Sequence, residues 1–133
     1  MQLHGITLTT TLIIGSACAP SFRGAQSSPV LVERLYFGRD GGDSLIVTDS
    51  AWAAFLVEVV TPRFPGGFTA WRAEGQWRSA SGVVEHEPSF VVEFVLPARA
   101  ETDLALNEII SEYKRRFHQE SVLRVRASAR ASY

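Results

Sequence analysis

Five polar side chains sit at alternating positions in segments that otherwise read as strands: Arg34 and Tyr36, Glu93, and Arg124 and Arg126. If Phe90, Val92, Phe94 and Leu96 point into a core, Glu93 points out with Val91 and Val95. The same alternation sends Leu35 and Phe37 in and Arg34 and Tyr36 out. It also takes Leu123 and Val125 as core, so that Arg124 and Arg126 join the outer set. A slip of one residue would bury Glu93 and both arginines unpaired against the helices, which is costly, so the outward assignment is preferred. The product is a mixed, mainly cationic platform, with Gln76 or Trp77 added from a neighbouring strand depending on a bulge near Gly75. Charge-assisted hydrogen bonds would let it hold a small anionic ligand or an acidic group of a partner protein. The plainer alternative is a solvated face whose Arg and Glu pair across strands for a few tenths to about 1 kcal/mol each.

Other candidates carry less. Glu85-His86-Glu87 offers metal-ligating types, but alternation puts the two acids on one side and His86 on the other, and no third ligand lies nearby in sequence. No metal or cofactor is therefore expected. Gly38 to Ser44 precedes a helix and could cradle an anion, yet it has neither the Gly-Lys-Ser/Thr ending of a P-loop nor a dinucleotide spacing. Trp71 and Trp77 share one side of an unbroken strand, where burial in a core or a dimer interface is the usual outcome. His118 falls just past a cation-rich helix end and reads as exposed.

The chain has 133 residues, enough for one core and too few for two domains. A net charge of -1 removes nucleic acid as a partner, and three Trp with eight Phe suit a packed interior. Residues 1–19 read as a secretory or lipoprotein leader, with an uncharged stretch from Ile6 to Ala19 closing on Gly15-Ser16-Ala17-Cys18-Ala19. Ser16-Ala17-Cys18 matches the end of a lipobox, making Cys18 the candidate for lipidation and membrane contact; a cut after Ala17 would instead give simple secretion. Either route leads to the periplasm or cell envelope. Residues 20–29 are small and polar and read as a tether, leaving 30–133 as the folded domain.

The elements that must position these side chains follow from periodicity. Val30 to Phe37 is a strand, and Trp52, Phe55, Leu56 and Val59 recur at helical spacing, predicting a helix from Asp49 to Val60 with Thr48 as N-cap and Pro62 beyond its end. Phe68 to Arg78 and Val83 to Leu96 form a hairpin, with a bulge or an edge position expected at Pro88. Leu106, Ile109, Ile110, Tyr113 and Phe117 predict a second helix from about Thr102 to Phe117, and Val122 to Ala129 is the last strand. The order β-α-β-β-α-β with right-handed crossovers implies a ferredoxin-like α+β sandwich, one antiparallel sheet with both helices on one face.

With the elements placed, several segments resemble a bacterial family of uncharacterised proteins, domain of unknown function 3574. They are Glu33-Arg34-Leu35-Tyr36-Phe37-Gly38-Arg39, Trp52-Ala53-Ala54-Phe55, Val60-Thr61-Pro62-Arg63-Phe64-Pro65, Gly75-Gln76-Trp77-Arg78, Glu87-Pro88-Ser89 and Tyr113-Lys114-Arg115-Arg116-Phe117. The resemblance covers nearly the whole folded region and implies a similar size and leader, but no activity. Two uses of the fold follow. The first is a non-catalytic envelope domain that binds a protein or small anion through its open sheet face. The second is a small cofactor-free enzyme in which two sheet faces dimerise around a cavity, with Tyr36, Arg34, Glu93 and His86 as acid–base candidates.

Overall fold

The computed structural model describes residues 26–40, 47–78 and 81–132. The expected leader with Cys18, and most of the expected tether, lie outside the described residues.

Four strands form one antiparallel sheet: β1 (Ser28–Gly38), β2 (Thr69–Arg78), β3 (Val84–Pro97) and β4 (Leu123–Ala131), in the spatial order β2-β3-β1-β4. This is the ferredoxin-like arrangement expected from the element order. β1 starts earlier than the periodicity suggests, because Ser28 and Pro29 pair with Ala131 and Arg130 at the end of β4. The β2–β3 ladder runs without interruption from Thr69 opposite Glu93 to Arg78 opposite Val84, so no bulge forms near Gly75. Pro88 sits inside β3, and its carbonyl accepts from Arg39 N–H at 3.1 Å. A residue's N–H and C=O point to the same neighbour in an antiparallel strand, so the N–H that Pro88 lacks would face the region where the β1 ladder has already ended at Gly38 opposite Ser89. Pro88 thus occupies an edge position within a central strand.

The first helix begins at Asp49, where the Thr48 hydroxyl accepts from Ala51 N–H. Rather than stopping at Val60, it passes from Asp49–Phe55 through a π-helical turn, Leu56–Val60, into Thr61–Arg63. The wider turn accommodates Pro62, whose ring would collide with the preceding carbonyl in a regular helix. The Leu56 carbonyl accepts from the Thr61 N–H, closing the wider turn, and also from the Thr61 hydroxyl at 2.9 Å. The last helix, Asp103–Phe117, ends on His118 in the left-handed conformation at φ 54°, and Gln119 N–H closes it on the Lys114 carbonyl.

Both helices pack on one sheet face. Leu35, Phe37, Phe90, Val92 and Phe94 meet Trp52, Phe55 and Val59 from the first helix and Leu106, Ile109, Tyr113 and Phe117 from the last. Aromatic contacts dominate. Trp52 stacks flat on Phe90 with centroids 4.4 Å apart, and Phe37 lies 4.6 Å from Tyr113 and 5.9 Å from Phe55. Because Trp52 and Phe55 touch both other layers of this cluster, Trp52→Ala and Phe55→Ala should each lower the unfolding free energy by about 3–5 kcal/mol in a denaturant titration. Unchanged midpoints would mean that the helix presents another face to the sheet.

Candidate functional site

The five side chains singled out by alternation are divided between the two sheet faces. In β1 and β3 the expected polarity holds: Leu35 pairs with Val92 and Phe37 with Phe90 beneath the helices, while Arg34 pairs with Glu93 and Tyr36 with Val91 on the open face. Arg34 and Glu93 are ion-paired there. β4 has the opposite polarity to the one expected. Arg124 lies opposite Leu35 and Arg126 opposite Glu33, so both arginines face the helices; Val125 lies opposite Arg34 and Leu123 opposite Tyr36, so both apolar residues face outward. Gln76, opposite His86, also goes to the helix side.

The physical reason is Glu33. Its own alternation with Leu35 and Phe37 sends it inward, where it is fully buried. Arg124 meets its carboxylate through two hydrogen bonds of 2.8 and 2.9 Å, and Arg126 adds one of 2.5 Å. Both guanidinium groups then reach Asp103 in the first turn of the last helix, each at 2.5 Å. Burial pushes the Glu33 carboxyl up, but the hydrogen bonds and charges of the two arginines outweigh it, and the net shift is below the ordinary 4.5. The sequence signal was present: an inward acid needs cations at the same level of the neighbouring strand, and β4 offers two arginines spaced by two.

With the arginines turned away, the open face is mostly apolar. One transverse row reads Leu123, Tyr36, Val91, Trp71; the next reads Val125, Arg34, Glu93, Thr69; a third carries Ala127, Val32 and Val95. Leu123 is 60 % exposed, Val95 48 %, Trp71 41 % and Val125 39 %. Neither helix covers them. Two open depressions of about 240 and 250 Å³ flank the sheet, the first between Asp49, Trp52 and Arg72, the second beside Gly67, Glu93 and Val95.

A further carboxylate stands out that the sequence offers only as part of Glu85-His86-Glu87. Glu87 lies over the end of β1, close enough that a Cβ at Gly38 would collide with its carboxylate. Burial, and secondarily the charge of Asp40, push its pKa up, although Asp40 N–H donates to it. Beside it the Tyr113 hydroxyl donates to the Gly38 carbonyl at 2.7 Å and Gln119 Nε2 to the Asp40 carbonyl at 2.9 Å. Glu85 and His86 are exposed. Arg39 at the start of the expected anion loop is engaged elsewhere: its Nε donates to the Val47 carbonyl and its guanidinium lies over Phe90, while residues 41–46 lie outside the described residues.

The sequence matches the model of a family described as "Protein of unknown function (DUF3574)" over residues 32–133. The chain belongs to that family. No curated protein matches the sequence. Among solved structures it is similar to a phage SAM lyase in complex with S-methyl-5'-thioadenosine, with a TM-score of 0.55 and 16 % identity over 78 % of this chain and 90 % of that one. The phage SAM lyase in its apo state aligns with a TM-score of 0.51 and 13 % identity, over 79 % of this chain and 90 % of that one. At these identities the likeness is one of fold.

Two carboxylates give opposite pH signatures. Glu33, with its pKa depressed on folding, contributes stability that is present above about pH 4.5 and is lost as pH falls through its lower folded value. Arg124→Ala should cost ~3 kcal/mol at neutral pH by leaving that buried charge half-compensated, and should shift acid unfolding to higher pH. Glu87, with its pKa raised, is strained when ionised, so Glu87→Gln should raise the neutral-pH melting temperature and remove the stability gained on mild acidification. Melting curves of the two variants across pH 3 to 8 check both signs, and parallel profiles would refute the assignment.

Proposed function

We propose that this chain is an exported cell-envelope protein whose domain is a binding module, working through its open sheet face on a flat, mostly apolar protein surface with no net charge. One observation carries the reading: the exposed Leu123, Val125, Val95 and Trp71 lie on a single face around one self-neutralised ion pair. The opposite surface of the molecule is different in kind. Arg63 pairs with Glu108 and Arg116 with Glu58 between the helices, and Arg115 with Glu112 along the last one, an arrangement suited to water. A small anionic ligand is now a weaker candidate for the open face, because Arg34 is bound by Glu93 and the other two arginines lie beneath the helices.

The test is photo-crosslinking in the native host, with a photoreactive residue at Leu123 or, as control, at Glu108 on the helical surface. Adducts in the envelope fraction from position 123 and none from 108 are expected. Adducts from 108 alone, or from neither, would sink the proposal.

A second reading is favoured by the fold likeness to a SAM lyase and by the shifted Glu87 carboxyl: a small lyase with Glu87 as its acid–base group. Incubation with S-adenosylmethionine and chromatography for S-methyl-5'-thioadenosine decides it. No product is expected; release that Glu87→Gln abolishes would replace binding by catalysis.

A further inference from the structure

Resting on that reading of the open face, we propose that its occupant is a second copy of this chain, the two sheets packing face to face about a two-fold axis that runs along the strands midway between β1 and β3. The face is self-complementary under that operation. β1 and β3 are the central strands, with β4 outside one and β2 outside the other. A half-turn about an axis between the central pair therefore lays β1 of one copy over β3 of the next, and β4 over β2.

Residues at the same level then meet in specific pairs. Arg34 of one copy falls over Glu93 of the other, and Glu93 over Arg34, so the pair that each copy neutralises alone becomes a closed ring of two guanidinium groups and two carboxylates. In the next row Leu123 meets Trp71, and Tyr36 lies over the level of Val91, which its own neighbours already bury; on the other side Val32 meets Val95, and at the level of the ring Val125 meets Thr69. No like charges oppose each other among these rows. Sandwiched sheets are commonly rotated by about 30°, which preserves this matching best near the axis, where the charges lie.

The area is that of a small interface. β1 and β3 share five alternate residue levels, from that of Gly38 to that of Val30, but β4 reaches only four of them and β2 three, so β4 lies over β2 at two levels. At ~4.8 Å between strands and ~6.7 Å per level the opposed area is roughly 450 Å² in flat projection, which side-chain relief enlarges toward the lower end of specific interfaces.

Light scattering of the full chain at tens of micromolar should give twice the 14.6 kDa of one chain. Arg34→Glu sets acid against acid across the axis and Glu93→Arg sets cation against cation, so each variant alone should run as a folded monomer. Mixing the two should restore the dimer, because one copy then presents two carboxylates and the other two guanidinium groups. Leu123→Arg, outside the ring and off the core, should also give a monomer with an unchanged melting temperature. A monomeric wild type, single reversals that stay dimeric, or a mixture that stays monomeric would each overturn the second copy as occupant. Should position 123 meanwhile crosslink a different envelope protein, the binding reading survives with another partner; no crosslink at all removes both.

Discussion

A carboxylate with no access to water, Glu33, governs more of this structure than any other single group. Taking an isolated carboxylate out of water costs many kcal/mol, so the chain must supply cations beside it or leave it protonated. It supplies two, Arg124 and Arg126, from the adjacent edge strand, and ties both to Asp103 at the start of the last helix. One cluster thereby joins β1, β4 and a helix terminus. A negative side chain in a helix's first turn is itself favoured by the helix dipole, so Asp103 is well placed on two counts. Once the arginines face the helices, the pleat leaves Leu123 and Val125 no choice but the other side.

That dependence explains where the sequence was legible and where it was not. The helical faces could be read because Trp52, Phe55 and Val59, and again Leu106, Ile109, Tyr113 and Phe117, bury a stripe that only one period fits. β1 and β3 could be read because bulky apolar residues occupy alternate sites. In β4 the alternation itself was correct, but alternation says which residues share a face and not which face it is. Choosing by hydrophobicity alone placed Leu123 and Val125 inward, on the ground that buried arginines would be unpaired. The flaw lay in treating β4 without its neighbour: Glu33 was inward by the same rule that put Leu35 and Phe37 there, and an inward acid makes the arginine strand point the other way. Pro62 was misread more mildly, as lying beyond the helix end, while Pro88 takes the edge position that was one of the two readings expected of it. A π-turn absorbs the first, and the end of the β1 ladder makes room for the second.

Two carboxylates in this fold show how the environment sets the role. Glu33 is the more deeply buried, yet it is held ionised because two guanidinium groups face it. Glu87 has no guanidinium partner in the hydrogen bonds that position it, so its partial burial, and after that the charge of Asp40, holds its proton more tightly. The first arrangement belongs to architecture. The second is of the kind that acid–base chemistry uses, and it lies where the hairpin passes the end of β1, with Tyr113 from the core bonded to the same turn. A shared sandwich with a lyase does not by itself assign that chemistry, since the same skeleton carries unrelated sites.

The open face is therefore a consequence of the buried cluster as much as a surface in its own right. Leaving Leu123 and Val125 partly in water forgoes a fraction of the about 1.5–3 kcal/mol that full burial of each would contribute. A polar residue at either position would keep the strand's alternation and leave the Glu33 cluster intact, since the cluster uses only the alternate residues Arg124 and Arg126. Nothing in the core requires an apolar side chain at 123, 125 or 95, which lie on the helix-free side, and Trp71, beside the buried Val91, still leaves 41 % of itself exposed there. Three positions free to be polar are instead Leu, Val and Val, grouped around a salt bridge that already satisfies its own charges. Fold stability does not account for that choice, whereas a surface that spends part of its life covered does.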